Sequence, residues 1–405
     1  MSARLLPILS FTLLAGCVAY QREAADLDTV AAEIDARPGG AMTFAEAAAL
    51  TLRRHPEILA AEARARAAGL ATTVPLIGNS EWRGRNETIG VMLDPVALLG
   101  FGPRGAEIEL ADARVRRAVT ELAVARWRTV AEVAEAYRLH CVFQRLRAPA
   151  LEDADLSDAP FARAGLASPV AAAALQAANA GAAAERAALD RLCQDQLSRI
   201  RHLLALPPHA ALTPIHDEAP TLPDAPSLSE LLDRPDLTLA VARFEVADAE
   251  LRRAVAAQYP SLQIGPSMSL RGDPLRAMGM LKIPLLMHGA AAAAQERRAA
   301  ARHDVEDALL EARLEAETAE SARRVAGAVE ARARAVLEAR SAALRAAQTA
   351  LAVEPEAFSG YAAAAREYVE AVSNYREAAS TFAVADVRRA VAYGWPRQPA
   401  TEDAL

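Results

Sequence analysis

A stretch of alternating apolar and polar residues, Tyr259–Gly289, constrains this fold more than any other, because long helical sequences flank it on both sides. Apolar side chains occupy every second position from Leu262 to Leu270, with polar or small side chains between them. This period of two is typical of a β-strand whose two faces meet different surroundings. The turn signal Gly272-Asp273-Pro274 follows, and the chain runs back over Met278–Leu286. Each arm is close to the ~10 residues that a tilted strand needs to cross a bilayer, so the sequence predicts a membrane-spanning strand pair.

The same order of features occurs twice along the chain. In the first half, the capping-box pattern Thr43-Phe44-Ala45-Glu46 predicts the start of a helix, which His55-Pro56-Glu57-Ile58 then interrupts. In the second half, Ser227-Leu228-Ser229-Glu230 and Arg234-Pro235-Asp236-Leu237 stand in the corresponding places. A repeat of this length indicates an internal duplication rather than a short-period solenoid.

Each half also predicts a strand pair followed by a very long helical hairpin. In the first half the extended arms are Thr72–Trp82 and Glu87–Leu93, and a helix then runs from Arg104 towards a turn at Ala164–Ser168. That helix has about 60 residues and a length of ~90 Å, several times the width of a globular domain. The second hairpin turns near Val353–Glu356, and apolar residues seven apart in both halves have coiled-coil spacing.

The N-terminus carries the most specific local signal. Arg4 precedes the apolar run Leu5–Leu14, which is followed by Ala15-Gly16-Cys17, an arrangement typical of a bacterial signal peptide. The sequence Leu-Ala-Gly-Cys resembles the lipobox of bacterial lipoproteins, which implies that Cys17 becomes the lipidated N-terminus. Val18, rather than Asp, comes next and favours the outer membrane. The alternative is an ordinary signal peptide with an incidental cysteine. An acylated terminus supplies an anchor but not a membrane-spanning segment.

These features divide the chain into six parts. The predicted parts are a signal peptide (1–16), a lipidated N-terminal tether (17–42), a first structural repeat (43–206), a Pro-rich linker (207–226), a second structural repeat (227–395) and a C-terminal tail (396–405).

The predicted strands determine how the chain assembles. Two strand pairs supply four strands, and an open four-stranded sheet in lipid would leave unpaired backbone groups at several kcal/mol each. Known single-chain barrels begin at eight strands, so several copies must share one barrel. The predicted fold class is therefore mainly α with short β. Long coiled-coil hairpins form a periplasmic α-barrel, and each protomer contributes four strands to a shared transmembrane β-barrel. The trimeric, 12-stranded form of that barrel is what the family resemblance given below implies.

The whole mature chain from Thr43 to Trp395 resembles the TolC family of outer-membrane efflux channels. The resemblance depends on motifs in a duplicated order, namely His55-Pro56-Glu57-Ile58, Gly165-Leu166-Ala167-Ser168, Leu232-Asp233-Arg234-Pro235-Asp236-Leu237, Tyr259-Pro260-Ser261-Leu262 and Tyr393-Gly394-Trp395. It implies a homotrimer that docks to a periplasmic adaptor (membrane fusion) protein, with an inner-membrane pump of the resistance-nodulation-division type supplying the energy. It also implies that Gly165 and Leu166 form the adaptor-docking tip; the alternative is a plain helical turn. The second tip departs from the family, because Glu354-Pro355-Glu356 replaces a Gly-containing turn, and no gate residues can be assigned.

Two cysteines remain after Cys17. If the first hairpin turns at Gly165–Ser168, Cys141 and Cys193 lie at nearly the same height on antiparallel helices, where a disulfide requires Cα atoms within about 7 Å. The alternative is two small apolar side chains in a helical seam. His140 beside these cysteines has no metal-site spacing, so we assign no metal ligands.

No catalytic motif or cofactor-binding motif is recognisable, which predicts a protein that is not an enzyme. The formal net charge of −7 gives no electrostatic support for binding nucleic acid. The predicted function is a passive outer-membrane duct of a tripartite efflux system, exporting small molecules or metal ions. Two alternatives remain open at this stage: a periplasmic coiled-coil lipoprotein that acts as an adaptor or scaffold, and the outer-membrane component of type I protein secretion.

Overall fold

The computed structural model describes residues 26–70, 78–83, 86–91, 103–147, 169–215, 222, 228–259, 261–269, 276–282 and 288–396. The elements of the first half are α1 (Leu27–Asp35), β1 (Gly40–Met42), α2 (Phe44–Arg54), α3 (Pro56–Leu70), β2 (Gly78–Arg83), β3 (Asn86–Val91), α4 (Pro103–Arg147), α5 (Pro169–Leu203) and β4 (Leu212–Pro214). Those of the second half are α6 (Leu228–Leu232), α7 (Pro235–Ala256), β5 (Ser261–Ser269), β6 (Arg276–Lys282), α8 (His288–Val353), a 3₁₀ turn (Pro355–Ala357) and α9 (Phe358–Ala392).

The helix starts follow the local signals of the sequence. Thr43 caps α2 with a capping box: its hydroxyl accepts the Glu46 backbone N–H at 3.2 Å, and the Glu46 carboxylate accepts the Thr43 N–H at 2.8 Å. Pro56 and Pro235 each open a helix at its first residue, where the missing N–H costs nothing. α8 has 66 residues and a length of about 99 Å, so the second half contains the very long helix that we expected between Gly289 and the turn near Val353. In the first half, α4 is described over 45 residues, and the predicted turn at Ala164–Ser168 lies outside the described residues.

The two strand pairs lie in one antiparallel sheet of order β2-β3-β5-β6. β2 and β3 form the first hairpin, and β5 and β6 form the second over seven paired positions. The hairpins join through Thr88↔Ser269, Ile89↔Met268 and Gly90↔Ser267. The predicted strand pairs are thus present within the described residues.

The segment that we expected to be a tether differs from that expectation. It contains the helix α1, which Asp26 caps by accepting the Asp28 N–H and the Thr29 hydroxyl, and then the strand β1. No residue of α1 is buried, although Leu27, Val30, Ala31 and Ile34 have the spacing of one helical face. The expected Pro-rich linker also contains a strand, because β4 pairs in parallel with β1.

The helices pack as a layer with a definite order. Along the part nearest the sheet, α3 contacts α4, α4 contacts α7, and α7 contacts α8. Farther from the sheet, α5 and α9 contact α4, and α8 contacts α9. The largest hydrophobic cluster joins α4, α5, α8 and α9, with Leu175, Leu189, Tyr361 and Val372 almost fully buried.

Candidate functional site

The four-stranded sheet has two open edges. Within the described sheet, β2 and β6 each pair with a neighbour on one side only. The sheet connects directly with the helical layer, because α3 ends at Leu70 shortly before β2 and α8 begins at His288 shortly after β6. In the order of contacts given above, α3 and α8 also stand at the two ends of the helical layer. The sheet and the helices are therefore open at the same two ends.

The exposed side of α8 carries an apolar stripe, which we call the α8 seam. Its large members are 46–64% exposed: Leu310, Leu314, Val325, Val329 and Val336. Exposed alanines continue the stripe towards the end of α8 at Ala339, Ala343, Ala346 and Ala350. At 100° per residue all nine positions fall within a stripe about 100° wide, as in a helix that packs against a partner.

α5, on the other side of the layer, carries a matching stripe that we call the α5 seam. Five exposed alanines recur there with alternating spacings of four and three, namely Ala173, Ala177, Ala180, Ala184 and Ala187. This spacing is that of the a and d positions of a coiled coil. Small side chains at such positions allow a second helix to approach closely.

A buried carboxylate ties three long helices together. Asp386 of α9, with 8% of its side chain exposed, accepts from Arg138 of α4 at 2.5 Å and from Arg323 of α8 at 2.6 Å. Further along the same face of α9, buried Arg389 donates to Glu320 of α8 at 2.7 Å. Both carboxylates join α9 to its neighbours through charge-assisted hydrogen bonds, which are stronger than neutral ones.

Arg234, in the motif that opens α7, is the centre of a second ionic cluster. Its side chain is only 3% exposed and donates to Asp236 and Glu315, both at 2.7 Å, and to the Ala392 carbonyl oxygen at 2.8 Å. The guanidinium carbon also lies 5.4 Å from the centre of the Trp127 ring. Burial opposes the charged form, but the hydrogen bonds and charges of Asp236 and Glu315 outweigh it and raise the pKa of Arg234. The sequence marked this motif as a helix interruption and as part of the family resemblance, but not as an ionic cluster, since Glu315, Ala392 and Trp127 come from distant parts of the chain.

The N-terminal strand is fastened to the body of the helices; we call residues 37–42 the strap. The Arg37 guanidinium donates to the Ala205 carbonyl oxygen at 2.8 Å. The Tyr137 hydroxyl, fully buried on α4, lies 3.0 Å from the Met42 carbonyl oxygen and 2.7 Å from that of Ile215, so it bridges β1 and β4. Trp395, in the closing motif, accepts the Trp127 indole N–H at 2.9 Å through its carbonyl oxygen and thereby joins the end of the second repeat to the first.

The two cysteines are buried free thiols, so the disulfide that we considered is absent from this structure. Glu135 of α4 pairs with Arg199 of α5. Cys141 lies six residues after Glu135 and Cys193 six residues before Arg199, so the two cysteines stand at the same height on these antiparallel helices. They belong to different hydrophobic clusters, however. Burial raises the pKa of the Cys141 thiol to about 11 and also raises that of Cys193.

The other predicted site residues lie outside the described residues. These are the lipidation site Cys17 and the docking tip Gly165 and Leu166. In the described ranges, no cluster of three or more His, Cys, Asp or Glu side chains could hold a metal ion. No helix in the part of the chain that the structure describes is long and apolar enough to cross a membrane.

Solved structures share this architecture. The chain is 18% identical to the outer membrane protein VceC from Vibrio cholerae, with a TM-score of 0.66 over 87% of this chain and 96% of that one. The open-state MtrE outer membrane channel of Neisseria gonorrhoeae gives a TM-score of 0.71 at 19% identity, covering 87% of this chain and 88% of that one. The CmeC outer membrane channel of Campylobacter jejuni gives 0.64 at 13% identity and 93% coverage of both chains. No protein-family model and no curated protein matches the chain.

These similarities define a class. The chain has the fold of bacterial outer-membrane channels, and its predicted resemblance to TolC-like outer-membrane proteins is confirmed at the level of fold.

Proposed function

We propose that this chain is the outer-membrane channel of a tripartite efflux system, and that three copies form a passive duct across the outer membrane and periplasm. The observation that carries the proposal is that the sheet and the helical layer are open at the same two ends. Unpaired strand edges cannot face lipid, and two unlike edges that join head to tail generate a ring when the rotation between copies closes. Three copies of the described sheet supply the twelve strands of one barrel.

The seams support this ring because they stand at matching heights. α9 connects them: Arg376 of α9 pairs with Glu185 of α5, and Arg340 of α8 pairs with Glu367 of α9. Counting residues along the helices from these two ion pairs gives the height of each seam residue. To within one helical turn, α5 residues 173, 177 and 180 lie at the heights of α8 residues 343, 339 and 336, respectively. If the symmetry axis of the ring is parallel to the helices, the rotation that relates one copy to the next leaves the height of each residue unchanged. Each α8 seam then meets the α5 seam of the next copy in register.

The remaining components follow the resemblance to the TolC family. A lipid on Cys17 anchors each copy to the outer membrane, and the turn at Gly165 and Leu166 docks to a periplasmic adaptor that an inner-membrane pump drives. The exported substrates are small molecules or metal ions. The duct itself catalyses no reaction.

Cysteine cross-linking tests the ring directly. In a background with Cys141→Ala and Cys193→Ala, which keeps Cys17 for lipidation, the pair Ala177→Cys and Ala339→Cys is oxidised in membranes. We expect covalent dimers and trimers on denaturing gels. The matched control, Ala187→Cys with Ala350→Cys, uses the same seams at heights about 20 residues or ~30 Å apart and should remain monomeric.

Conductance completes the test. The detergent-purified full-length protein is expected to be a trimer by light scattering and to form steady pores in planar bilayers. A monomer that needs no detergent, gives no pores and forms no cross-link at the level seam positions contradicts the proposal.

A further inference from the structure

A groove of about 930 Å³ runs over α9, between α8 on one side and α4 with α5 on the other. Its floor is apolar and includes Leu139, Phe143 and Val384. The volume lies in the range of pockets that accept drug-sized molecules. Neither the ring nor the ionic clusters described above require such a groove.

The rim of the groove is acidic. Glu132, Glu135, Glu311 and Glu315 line it, and Arg388 is the only basic side chain in the lining. Arg199 and Arg388 pair with Glu135, and Arg234 pairs with Glu315. Within the described part of the chain, no ion pair neutralises Glu132 or Glu311, and both are exposed. Two carboxylates that form no ion pair within the described residues therefore stand above an apolar floor.

The groove lies on the side of α4 opposite the strap. Tyr137 faces β1 and β4, whereas Glu135 and Leu139, two residues before and after it, lie about 200° away around the helix. In the proposed ring, a chain anchored in the membrane at Cys17 would reach the helical body from outside. The strap side would then be the outer surface, and the groove would open towards the interior of the tube.

We infer that this groove binds amphiphilic organic cations in transit through the duct. The inference rests on the proposed function, since only the closed ring makes the groove part of the tunnel wall. The apolar floor removes the hydrophobic part of the guest from water, and the two free carboxylates attract its cationic group. A neutral guest of the same shape lacks the second interaction, and an anionic guest is repelled.

The test measures binding of ethidium, an aromatic cation, to the detergent-purified full-length trimer by fluorescence anisotropy, with empty micelles subtracted. The variant Glu132→Gln with Glu311→Gln should bind ethidium roughly tenfold more weakly. The matched control, Glu317→Gln with Glu338→Gln, removes the same charge from exposed positions of α8 outside the groove and should bind as the parent does. Fluorescein, an aromatic anion, should bind to none of them.

Three results would overturn the inference: no saturable ethidium binding to the parent trimer, equal affinity in both double variants, or equal binding of fluorescein. The first of these would indicate that a neighbouring copy fills the groove, because Leu314 belongs both to its lining and to the α8 seam. Light scattering and conductance of the same samples separate the two proposals. Trimeric pores without dye binding refute only the groove, whereas an absence of trimers refutes the proposed function.

Discussion

Replacing Asp386 by Asn should weaken the junction of α4, α8 and α9. The substitution keeps the shape of the side chain but removes the charge that Arg138 and Arg323 share at 2.5 and 2.6 Å. Each hydrogen bond to a charged group contributes about 1.5–3 kcal/mol, and removing one member of a buried ionic cluster costs about 3–5 kcal/mol. The two arginine side chains keep 23% and 31% of their surface exposed, so water relieves part of the cost. We expect a loss of about 3 kcal/mol.

The assay is the thermal unfolding midpoint of the purified protein. For a chain of this size, a loss of about 3 kcal/mol lowers the midpoint by roughly 3–6 °C. Asp304→Asn, at an exposed position of α8, is the matched control and should leave the midpoint unchanged. In a double-mutant cycle with Arg323→Gln, the stability lost in the two single variants should sum to clearly more than the stability lost in the double variant. Additive losses, or a midpoint equal to that of the control, would refute the view that the three side chains act as one cluster.

Three further substitutions test the strap, a buried thiol and the Arg234 cluster. Gly39→Ala should detach the strap and lower the unfolding midpoint, because the new Cβ would lie 2.1 Å from the Ala211 carbonyl oxygen, whereas Gly40→Ala meets nothing within 4 Å and should not. Burial raises the pKa of Cys141 from 9.0 to about 11, so its contribution to stability should persist below pH 9 and decline between pH 9 and 11, where the unfolded thiol loses its proton first. Cys141→Ala should reduce the decline of the unfolding midpoint over this pH range and leave the part due to Cys193, whose pKa burial also raises. Arg234→Lys keeps the charge but not the forked geometry that reaches two carboxylates and a carbonyl oxygen, and should lower the midpoint by several degrees; an unchanged midpoint would contradict the role of that geometry.

Local patterns predicted the elements of this fold well. The capping box at Thr43, the prolines at 56 and 235, and the period of two before Gly272 each act over a few residues, and helices or strands occur where these signals place them. The α1 helix escaped prediction because Pro38, Gly39 and Gly40 beside it are typical of a tether, although Leu27, Val30 and Ile34 have helical spacing. The cap at Asp26 is a second local signal, but by itself it does not distinguish a helix from a turn.

Long-range contacts were beyond prediction from a single sequence. The pairing of β1 with β4 joins short segments more than 170 residues apart, and Arg234 reaches partners as distant as Ala392. The sequence around β1 does not specify β4 as its partner, and the sequence around Arg234 does not specify Ala392. The packing of the long helices brings these partners together. The candidate groove has the same origin, since four helices contribute to its walls.

The side chains of the α8 seam become smaller along the helix. Leucines at 310 and 314 give way to valines at 325, 329 and 336, and alanines follow from 339 to 350. Large side chains interlock and resist sliding, whereas a row of methyl groups presents a nearly smooth surface. In the ring that we propose, the wall would therefore be stiffer at the end nearest the sheet and more compliant towards the other end, so the far mouth could change its radius while the end beside the sheet keeps its diameter.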